Sequence, residues 1–223
     1  MIHTLIIRDE TLFRSFIALT EARETPLPSV PYRVYLGEDI RIIGDFGDRD
    51  IGSILASVEE ELAPDTIFFL SKSYPVSDEK RTGDVILPNV FFAYNPAIKN
   101  EEITATNRDT FITSALFLEN YDVQNDYDFE SFGLSVGGIG VSGIWDSEDE
   151  DFRTRLRLVY ETDIFDTDMF EFVERAKQIG IGHKIYPMGI IASEDVILST
   201  TNVLHIIRFL VGSIEGENGS IEE

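Results

Sequence analysis

The sequence contains no cysteine and only three histidines. The absence of cysteine excludes disulfide bonds, thiolate metal sites and cysteine nucleophiles. His3, His183 and His205 are far apart in the chain and form no HxxxH or HxH pair, which argues against a histidine metal centre. A chain without disulfides fits a reducing compartment, and we therefore expect a cytoplasmic protein.

Basic residues are also scarce, because 18 lysines and arginines stand against 41 aspartates and glutamates, and the formal net charge is -23. A surface with this charge repels phosphate backbones and anionic lipids, so neither nucleic acid nor a membrane is an expected partner. The sequence has no uninterrupted apolar run of about 18 residues, the length that a membrane-spanning helix requires. The first apolar run meets Arg8 and Asp9 at once, unlike a signal peptide.

Several motifs of cofactor and metal binding are missing as well. The glycine-rich stretches GDFGD (44–48) and GGIG (137–140) match neither the GxGxxG nor the Walker pattern, and GxSxG is absent. The acidic stretch DSEDED (146–151) alternates acids as a calcium loop does, but it lacks the glycine and glutamate that such a loop needs. We predict neither a cofactor nor a metal.

The residues that are present describe an ordinary globular protein, with 43% hydrophobic and 11% aromatic residues. Strand patterns such as HTLIIR (3–8) alternate along the chain with helix patterns such as ETLFRSFIALTEA (10–22). This alternation predicts a single three-layer α/β domain over residues 1–214, in which helices flank a twisted, mixed central sheet. We predict that residues 215–223 form an acidic flexible tail.

Individual elements can be predicted with their boundaries. Apolar residues recur at helical spacing over residues 51–62 and follow Asp50, which predicts a capped helix. The apolar run over residues 66–70 predicts a buried central strand. Three further predictions are a helix over 109–121, a single glycine-punctuated strand over 132–145, and a last helix over 199–214 capped by Ser199 or Thr200.

The segment ETDIFDTDMFEFVERAKQIGI (161–181) interleaves acids with large apolar residues. One interpretation is purely structural. Asp166 caps a helix that Gly180 closes, Asp168 lies in its first turn near the positive end of the helix dipole, and Phe165 and Met169 pack into the core.

A series of motifs extends across the chain in a characteristic order. They are GDFGDRDIGSILASVEEELAPDTIFFLS (44–71), GDVILP (83–88), GLSVGGIGVSG (133–143), FDTDMFEFVERAKQIGI (165–181) and IIASED (190–195). In this order and spacing, the sequence resembles the nucleoside phosphorylase and nucleosidase superfamily, including methylthioadenosine/S-adenosylhomocysteine nucleosidases, over residues 35–210. The resemblance implies that the protein cleaves the N-glycosidic bond of a purine nucleoside or thionucleoside with water or phosphate.

The resemblance also assigns the ribose site. FDTD takes the place of the family's VEME, so Asp168 matches the glutamate that grips the ribose hydroxyls and Asp166 matches the earlier acid. A carboxylate that accepts two hydrogen bonds holds a 1,2-diol well, and a helix start stabilises its charge. This functional interpretation stands beside the structural one.

On the base side, Trp145 follows the matching strand end VSG (141–143) and stands where an aromatic residue of the family stacks on the base. The terminal motif places Ser193 beside the base and Glu194 at the acid that protonates the leaving purine, with Asp195 as the competing candidate.

On the side of the attacking water or phosphate, the resemblance places Gly47 at the facing turn and Glu10 as a loose equivalent of the acid that orients water. The basic residues near this turn and the following loop are Lys72, Arg81 and Arg49, of which Lys72 is the candidate anion contact. Because they form no clear arginine set, hydrolysis is slightly favoured over phosphorolysis.

The sequence departs from the family pattern at four places. SKSYPVS (71–77) replaces a glycine-rich loop and would bring bulky side chains to the ligand, and IIRDETLF (6–13) lacks the family's glycine and glutamates. Ile144 replaces an aspartate, and Glu194 replaces the aspartate of the terminal motif. These departures support an alternative, a catalytically eroded protein that binds nucleosides or serves as a structural or interaction module. A third alternative, an acidic virion-associated protein, rests on composition alone.

The expected partners are a small-molecule nucleoside and a second copy of the chain. The resemblance implies a symmetric homo-oligomer, most simply a dimer, and the aromatic segment NVFFAYN (89–95) is a candidate contact.

Overall fold

A computed structural model describes residues 3–27, 30–37, 40–47, 49–76, 81–94, 115–118, 133–144, 151–191 and 196–219. These residues form twelve strands: β1 (His3–Ile7), β2 (Arg23–Glu24), β3 (Arg33–Leu36), β4 (Ile40–Gly44), β5 (Thr66–Pro75), β6 (Val85–Leu87), β7 (Val90–Ala93), β8 (Ala115–Phe117), β9 (Leu134–Val136), β10 (Ile139–Ser142), β11 (Ile164–Asp166) and β12 (Ile185–Ile191). The helices in the same ranges are α1 (Glu10–Thr20), α2 (Ile51–Leu62), α3 (Phe152–Val159), α4 (Met169–Gln178) and α5 (Val196–Gly219), and a 3₁₀ turn spans Gly182–Lys184.

The strands form one mixed sheet in which β5 belongs to two halves. In the first half, β1 runs parallel to β4 and β5, and β12 runs parallel to β5 on its other side. In the second half, β11 pairs antiparallel with the end of β5, and β10 runs parallel to β11 and β7. The predicted mixed sheet is therefore confirmed.

Helices cover both faces of this sheet, as alternate residues of β1 illustrate. Ile6 packs into an apolar core with α2 and α4, whereas Leu5 and Ile7 pack into a second core with α1 and α5. In the first core the rings of Phe69 and Phe172 stack with centroids 4.6 Å apart. Because both faces are buried, β1 and the first half of β5 consist of nearly continuous apolar residues. The three-layer α/β prediction and the buried strand over residues 66–70 are confirmed.

The helix boundaries that the sequence signals most clearly are also confirmed. The Asp50 carboxylate accepts a hydrogen bond from the Ser53 amide at 2.7 Å and caps α2. At the end of α4, Gly180 has a positive φ of 79°, and the Ile181 amide donates to the Ala176 carbonyl at 2.9 Å. This pairing is a Schellman motif, which a glycine in the left-handed region favours.

Two strand regions differ from the prediction. Residues Ala115–Phe117, which we predicted as helical, form β8 antiparallel to β7. The prediction was wrong because an apolar run this short fits a strand as well as a helix. The strand predicted over 132–145 is divided into β9 and β10, since Gly137 and Gly138 between them adopt positive φ angles of 87° and 107°. Residues 109–114 and 119–121 lie outside the described residues.

The last helix begins earlier than predicted, at Val196 rather than at Ser199 or Thr200. Thr200 therefore lies inside the helix, where it is fully buried, and does not cap it. The helix continues to Gly219 and thus enters the segment that we predicted as a flexible tail, whose flexibility stays a prediction.

Two observations bear on partners. Phe91 and Phe92 of β7 are buried inside the subunit itself, so the predicted contact segment over 89–95 cannot offer them to a second copy. None of the helices in the described ranges combines the length and apolar character needed to cross a membrane.

Candidate functional site

β5 joins the two halves of the sheet near its carboxyl end. Its residues up to Ser73 pair with the parallel strand β12, whereas Tyr74 and Pro75 pair with the antiparallel strand β11. Ligands of open α/β sheets bind outside the carboxyl ends of the strands, at the point where the strand order changes. The side chains that follow β1, β4 and β10, together with the end of β5 and the start of α4, therefore form the candidate site.

Asp166, the last residue of β11, is buried at this point with 2% of its surface exposed. Its Oδ1 accepts a hydrogen bond from Ser142 Oγ at 2.5 Å, and the Ser71 hydroxyl also donates to the carboxyl group. The Met169 amide donates to Oδ2 at 3.1 Å. Burial raises the pKa of Asp166 to about 7, although these hydrogen bonds oppose the shift.

Ser142 completes this arrangement, because its hydroxyl oxygen accepts a hydrogen bond from the Phe170 amide at 2.8 Å. The first two amides of α4 are thus paired with the side chains of Asp166 and Ser142, which satisfies donors that a helix start leaves free. We call Asp166, Ser142, Ser71 and these two amides the Asp166 cluster. The residue directly before α4, Asp168, makes no capping bond with its side chain. The Asp166 carboxylate therefore accepts from the first amide of α4, as the structural interpretation predicts, but the N-cap position is Asp168, which that interpretation placed in the first turn.

Asp168 instead faces a cation. Arg8 Nη1 donates to Asp168 Oδ1 at 3.2 Å, and Arg8 Nη2 donates to the Gly47 carbonyl at 3.1 Å. The Thr167 hydroxyl donates to Asp168 Oδ2 at 2.9 Å. We call Arg8, Asp168 and Gly47 the Arg8 bridge. It connects the ends of β1 and β4 with the start of α4, and the side chains of Arg8 and Asp168 remain 21% and 23% exposed.

A second ion pair fixes the turn that carries Gly47. The buried Asp45 accepts hydrogen bonds from the Gly47 amide at 2.9 Å and from Arg49 Nε at 2.5 Å. Arg49 also donates to the Pro31 carbonyl at 2.8 Å. The amide of Gly47 is thus held by Asp45, and the carbonyl of the same residue accepts from Arg8.

Several solved nucleosidases have this architecture. A futalosine hydrolase mutant of Helicobacter pylori superposes with a TM-score of 0.68 at 10% identity, over 95% of this chain and 98% of that one. A mutant of the same bacterium's 5′-methylthioadenosine/S-adenosylhomocysteine nucleosidase, with 5′-methylthioadenosine in its active site, gives 0.69 at 10% identity, over 93% and 98%. The 5′-methylthioadenosine nucleosidase of Arabidopsis thaliana gives 0.67 at 13% identity, over 93% and 94%.

The chain has the nucleoside phosphorylase fold. No protein-family model and no curated protein matches the sequence. The structural resemblance nevertheless extends over nearly the whole chain, so the family resemblance of the sequence is confirmed for the fold. At 10% to 13% identity, the chemistry has to be argued from the side chains of this chain.

The nucleoside phosphorylase fold brings three of the predicted site residues together at one end of the sheet. Asp166 and Asp168 flank the start of α4, and Gly47 is connected to Asp168 through Arg8. Their assignment to the ribose and to the attacking group stays a prediction. Sequence reasoning missed Arg8 itself, although a cation directly after the first buried strand of so acidic a chain is a signal that could have found it.

The other two described candidates, Glu10 and Lys72, are exposed side chains. Glu10 is the first residue of α1, and its carboxylate pairs with Arg14 at 2.5 Å in an exposed i,i+4 ion pair. Lys72 is exposed between the buried Ser71 and Ser73, so strand alternation directs its side chain to the opposite face of β5.

The same alternation corrects the expectation for SKSYPVS (71–77). Residues up to Pro75 continue β5 and do not form a loop beside the ligand. The small side chains of Ser71 and Ser73 lie on the buried side, whereas Lys72 and Tyr74 are exposed. Lys72 and Tyr74 therefore do not lie on the side of β5 from which Ser71 bonds to Asp166.

Four predicted site residues, Trp145, Ser193, Glu194 and Asp195, lie outside the described residues. The strands that lead to them end at the candidate site: β10 ends at Ser142, and Ile191 at the end of β12 is in register with Ser73 of β5. Ile144, which replaces the family's aspartate, is 87% exposed. Within the described ranges, no group of three or more histidines and acids is arranged to hold a metal ion.

Proposed function

We propose that the protein cleaves the N-glycosidic bond of a purine nucleoside or thionucleoside with water. The observation that carries this proposal is the position of Asp168 in the Arg8 bridge. Its carboxylate is partly exposed, is oriented by Arg8 at 3.2 Å, and stands at the start of α4 beside the switch point of the sheet. A carboxylate in this position can accept hydrogen bonds from two ribose hydroxyls.

The remaining steps of the chemistry need a general acid and contacts to the purine base. The transition state of glycosidic cleavage resembles an oxocarbenium ion, and the departing purine must be protonated. We assign the proton to Glu194, with Asp195 as its competitor, and a positioned general acid contributes about 10²–10⁴-fold to such a rate. Trp145 and Ser193 are the proposed contacts to the base.

The arrangement of the basic residues supports water over phosphate as the attacking group. Arg8 is paired with Asp168, Arg49 is paired with Asp45, and Lys72 is directed to the opposite face of β5. The amide and carbonyl of Gly47 are both bonded within the protein, which supports a role in shaping the turn. A phosphate would need cationic or amide donors that are available to it.

The alternative function is a nucleoside-binding or structural module that has lost catalysis. Two observations favour it: Glu10, the candidate for orienting water, is paired with Arg14, and the exposed Ile144 replaces an acid. In the binding module Asp168 holds a nucleoside, and in neither module is a base released. A homodimer and a cytoplasmic location belong to the proposal under both functions.

The purified protein should release free base from methylthioadenosine, adenosine or inosine, as measured by chromatography, and omission of phosphate should not slow the release. Strict dependence on phosphate would replace hydrolysis by phosphorolysis. If none of the three nucleosides is cleaved but one is bound in calorimetry, the binding module is correct. If no nucleoside is cleaved or bound, the nucleosidase and the nucleoside-binding module are both refuted and the structural module is left.

A further inference from the structure

Arg8 is the side chain that ties three separate segments of the candidate site together. It follows β1 directly, and its two terminal nitrogens donate to different segments, one to Asp168 before α4 and one to the carbonyl of Gly47 after β4. With 21% of its side chain exposed, it lies between core and solvent. Because the two bonds diverge from one planar guanidinium, they fix the position of the Asp168 carboxylate relative to the turn after β4.

The hydrogen bonds of Asp168 leave room for a ligand. Oδ1 accepts one bond from Arg8, and Oδ2 accepts one from the Thr167 hydroxyl. A carboxylate oxygen can accept two hydrogen bonds, so with respect to the described residues each oxygen retains one acceptor position. These two positions match the two donors of a vicinal diol, and 23% of the Asp168 side chain is exposed to receive them.

Other carboxylates near the start of α4 make this orientation costly without a cation. Asp168 interacts electrostatically with Asp166 and with Glu171, and Glu171 in turn interacts with Asp50. Like charges repel each other, and the partly exposed Asp168 side chain has a route to solvent. Without Arg8, we expect the Asp168 carboxylate to rotate away from its neighbours and into water.

We propose that Arg8 is a positioning residue, which holds the Asp168 carboxylate in the orientation that accepts the ribose hydroxyls. The inference rests on the proposed function, because it needs a nucleoside at Asp168. Arg8 itself contacts Asp168 and Gly47, and it acts on the substrate only through Asp168.

The test is a double-mutant cycle on base release from the nucleoside that the wild type prefers among methylthioadenosine, adenosine and inosine. Arg8→Met keeps the length of the side chain but removes both hydrogen bonds, and we expect KM to rise about tenfold while kcat changes less. Arg8→Lys keeps the charge and can make one of the two bonds, so it should recover part of the loss. Arg23→Met, which removes an exposed arginine of β2, is the matched control and should leave KM unchanged.

The decisive comparison uses Asp168→Asn as the second background. If Arg8 acts through Asp168, Arg8→Met should raise KM no further when Asp168 has already been replaced. An additive rise, or an unchanged KM in Arg8→Met with circular dichroism showing a folded protein, overturns the inference while the nucleosidase stands. A wild type that cleaves none of the three nucleosides overturns the proposed function and the inference with it.

Discussion

The Asp166 cluster and the Arg8 bridge contain acids that are two residues apart, yet their surroundings differ in nearly every respect. Asp166 is 2% exposed and is bonded to two serines and a helix amide. The side chain of Asp168 is 23% exposed and is bonded to a cation and a hydroxyl. One acid is part of the scaffold, and the other retains acceptor positions at the surface.

This difference explains why acids and large apolar residues alternate over residues 161–181. Phe165, Met169 and Phe172 are buried on the core side, and Asp166 is buried with them because it pairs the amides that begin α4. A buried polar group is tolerated only when it is hydrogen-bonded, so Asp166 and its serines form one unit. The segment thus begins α4 with hydrogen-bonded amides and leaves the Asp168 side chain partly exposed to solvent.

The largest expected effect is a difference in stability between variants of Asp166 and of Asp168. Asp166→Ala leaves the Met169 amide and the hydroxyls of Ser142 and Ser71 without their acceptor, and the free energy of unfolding should fall by about 3 kcal/mol. Urea denaturation measures this loss. Asp168→Asn is the matched control, with an expected loss of about 1 kcal/mol or less, because asparagine still fits the helix start. Equal losses in the two variants would show that the two acids do not differ in this way.

The next prediction separates the rate of base release from the affinity for the nucleoside. Glu194→Gln should slow base release about 100-fold or more and leave nucleoside affinity nearly unchanged, since a general acid acts mainly in the transition state. Single-turnover kinetics and calorimetry measure the two quantities. Asp195→Asn is the matched variant for the competing acid. If both variants release base at the wild-type rate, neither residue is the acid.

A further effect concerns the pH dependence of stability that arises from the Asp166 cluster. The pKa of Asp166 is raised from 3.8 to about 7, so between these values the folded protein binds a proton that the unfolded chain has lost. Stability from this group is therefore present at acidic pH and is lost as the pH rises towards 7, by up to about 1.4 kcal/mol per pH unit. Asp166→Asn does not titrate and should lack this contribution.

The measurement is urea denaturation of wild type and Asp166→Asn from pH 4.5 to 7.5. The difference in unfolding free energy should move in favour of the variant as the pH rises. Parallel curves would mean that Asp166 has the same pKa in both states.

The prediction that bears least on the two acids concerns the oligomeric state. We predict a homodimer, and light scattering at micromolar concentration should return about twice the chain mass of 25.2 kDa. A 25.2 kDa particle would mean that one chain supplies the whole site. Since Phe91 and Phe92 are buried in their own subunit, the dimer contact must use other residues.

The parts of the fold that the sequence predicts are those with strong local signals. Asp50 before α2 and Gly180 after α4 mark helix ends through their own backbone chemistry, and the apolar run of β5 can only be a buried element. The segment that forms β8 was misassigned because it is a strand only through its pairing with β7, which lies far away in the sequence.

The site was less predictable for a similar reason. The sequence brings Asp168 and Asp166 forward as candidates because one short motif contains both. Arg8 lies 160 residues from Asp168, and only the sheet brings them into contact. The side of the sheet to which Lys72 points depends on where β5 ends. β5 continues to Pro75, whereas the local sequence pattern predicts a loop from Ser71 onwards. Contacts between distant strand ends cannot be derived from spacing along one chain.

Calorimetry of the wild type and Asp168→Asn with methylthioadenosine, adenosine and inosine tests most directly whether Asp168 holds the ribose. Replacing a doubly bonded carboxylate should weaken binding by about 2–3 kcal/mol, while urea denaturation shows that the fold is retained. A wild type that binds one of these nucleosides and an Asp168→Asn variant with much lower affinity agree with the proposed function. Equal affinity of the two proteins, or no binding to the wild type, would contradict it.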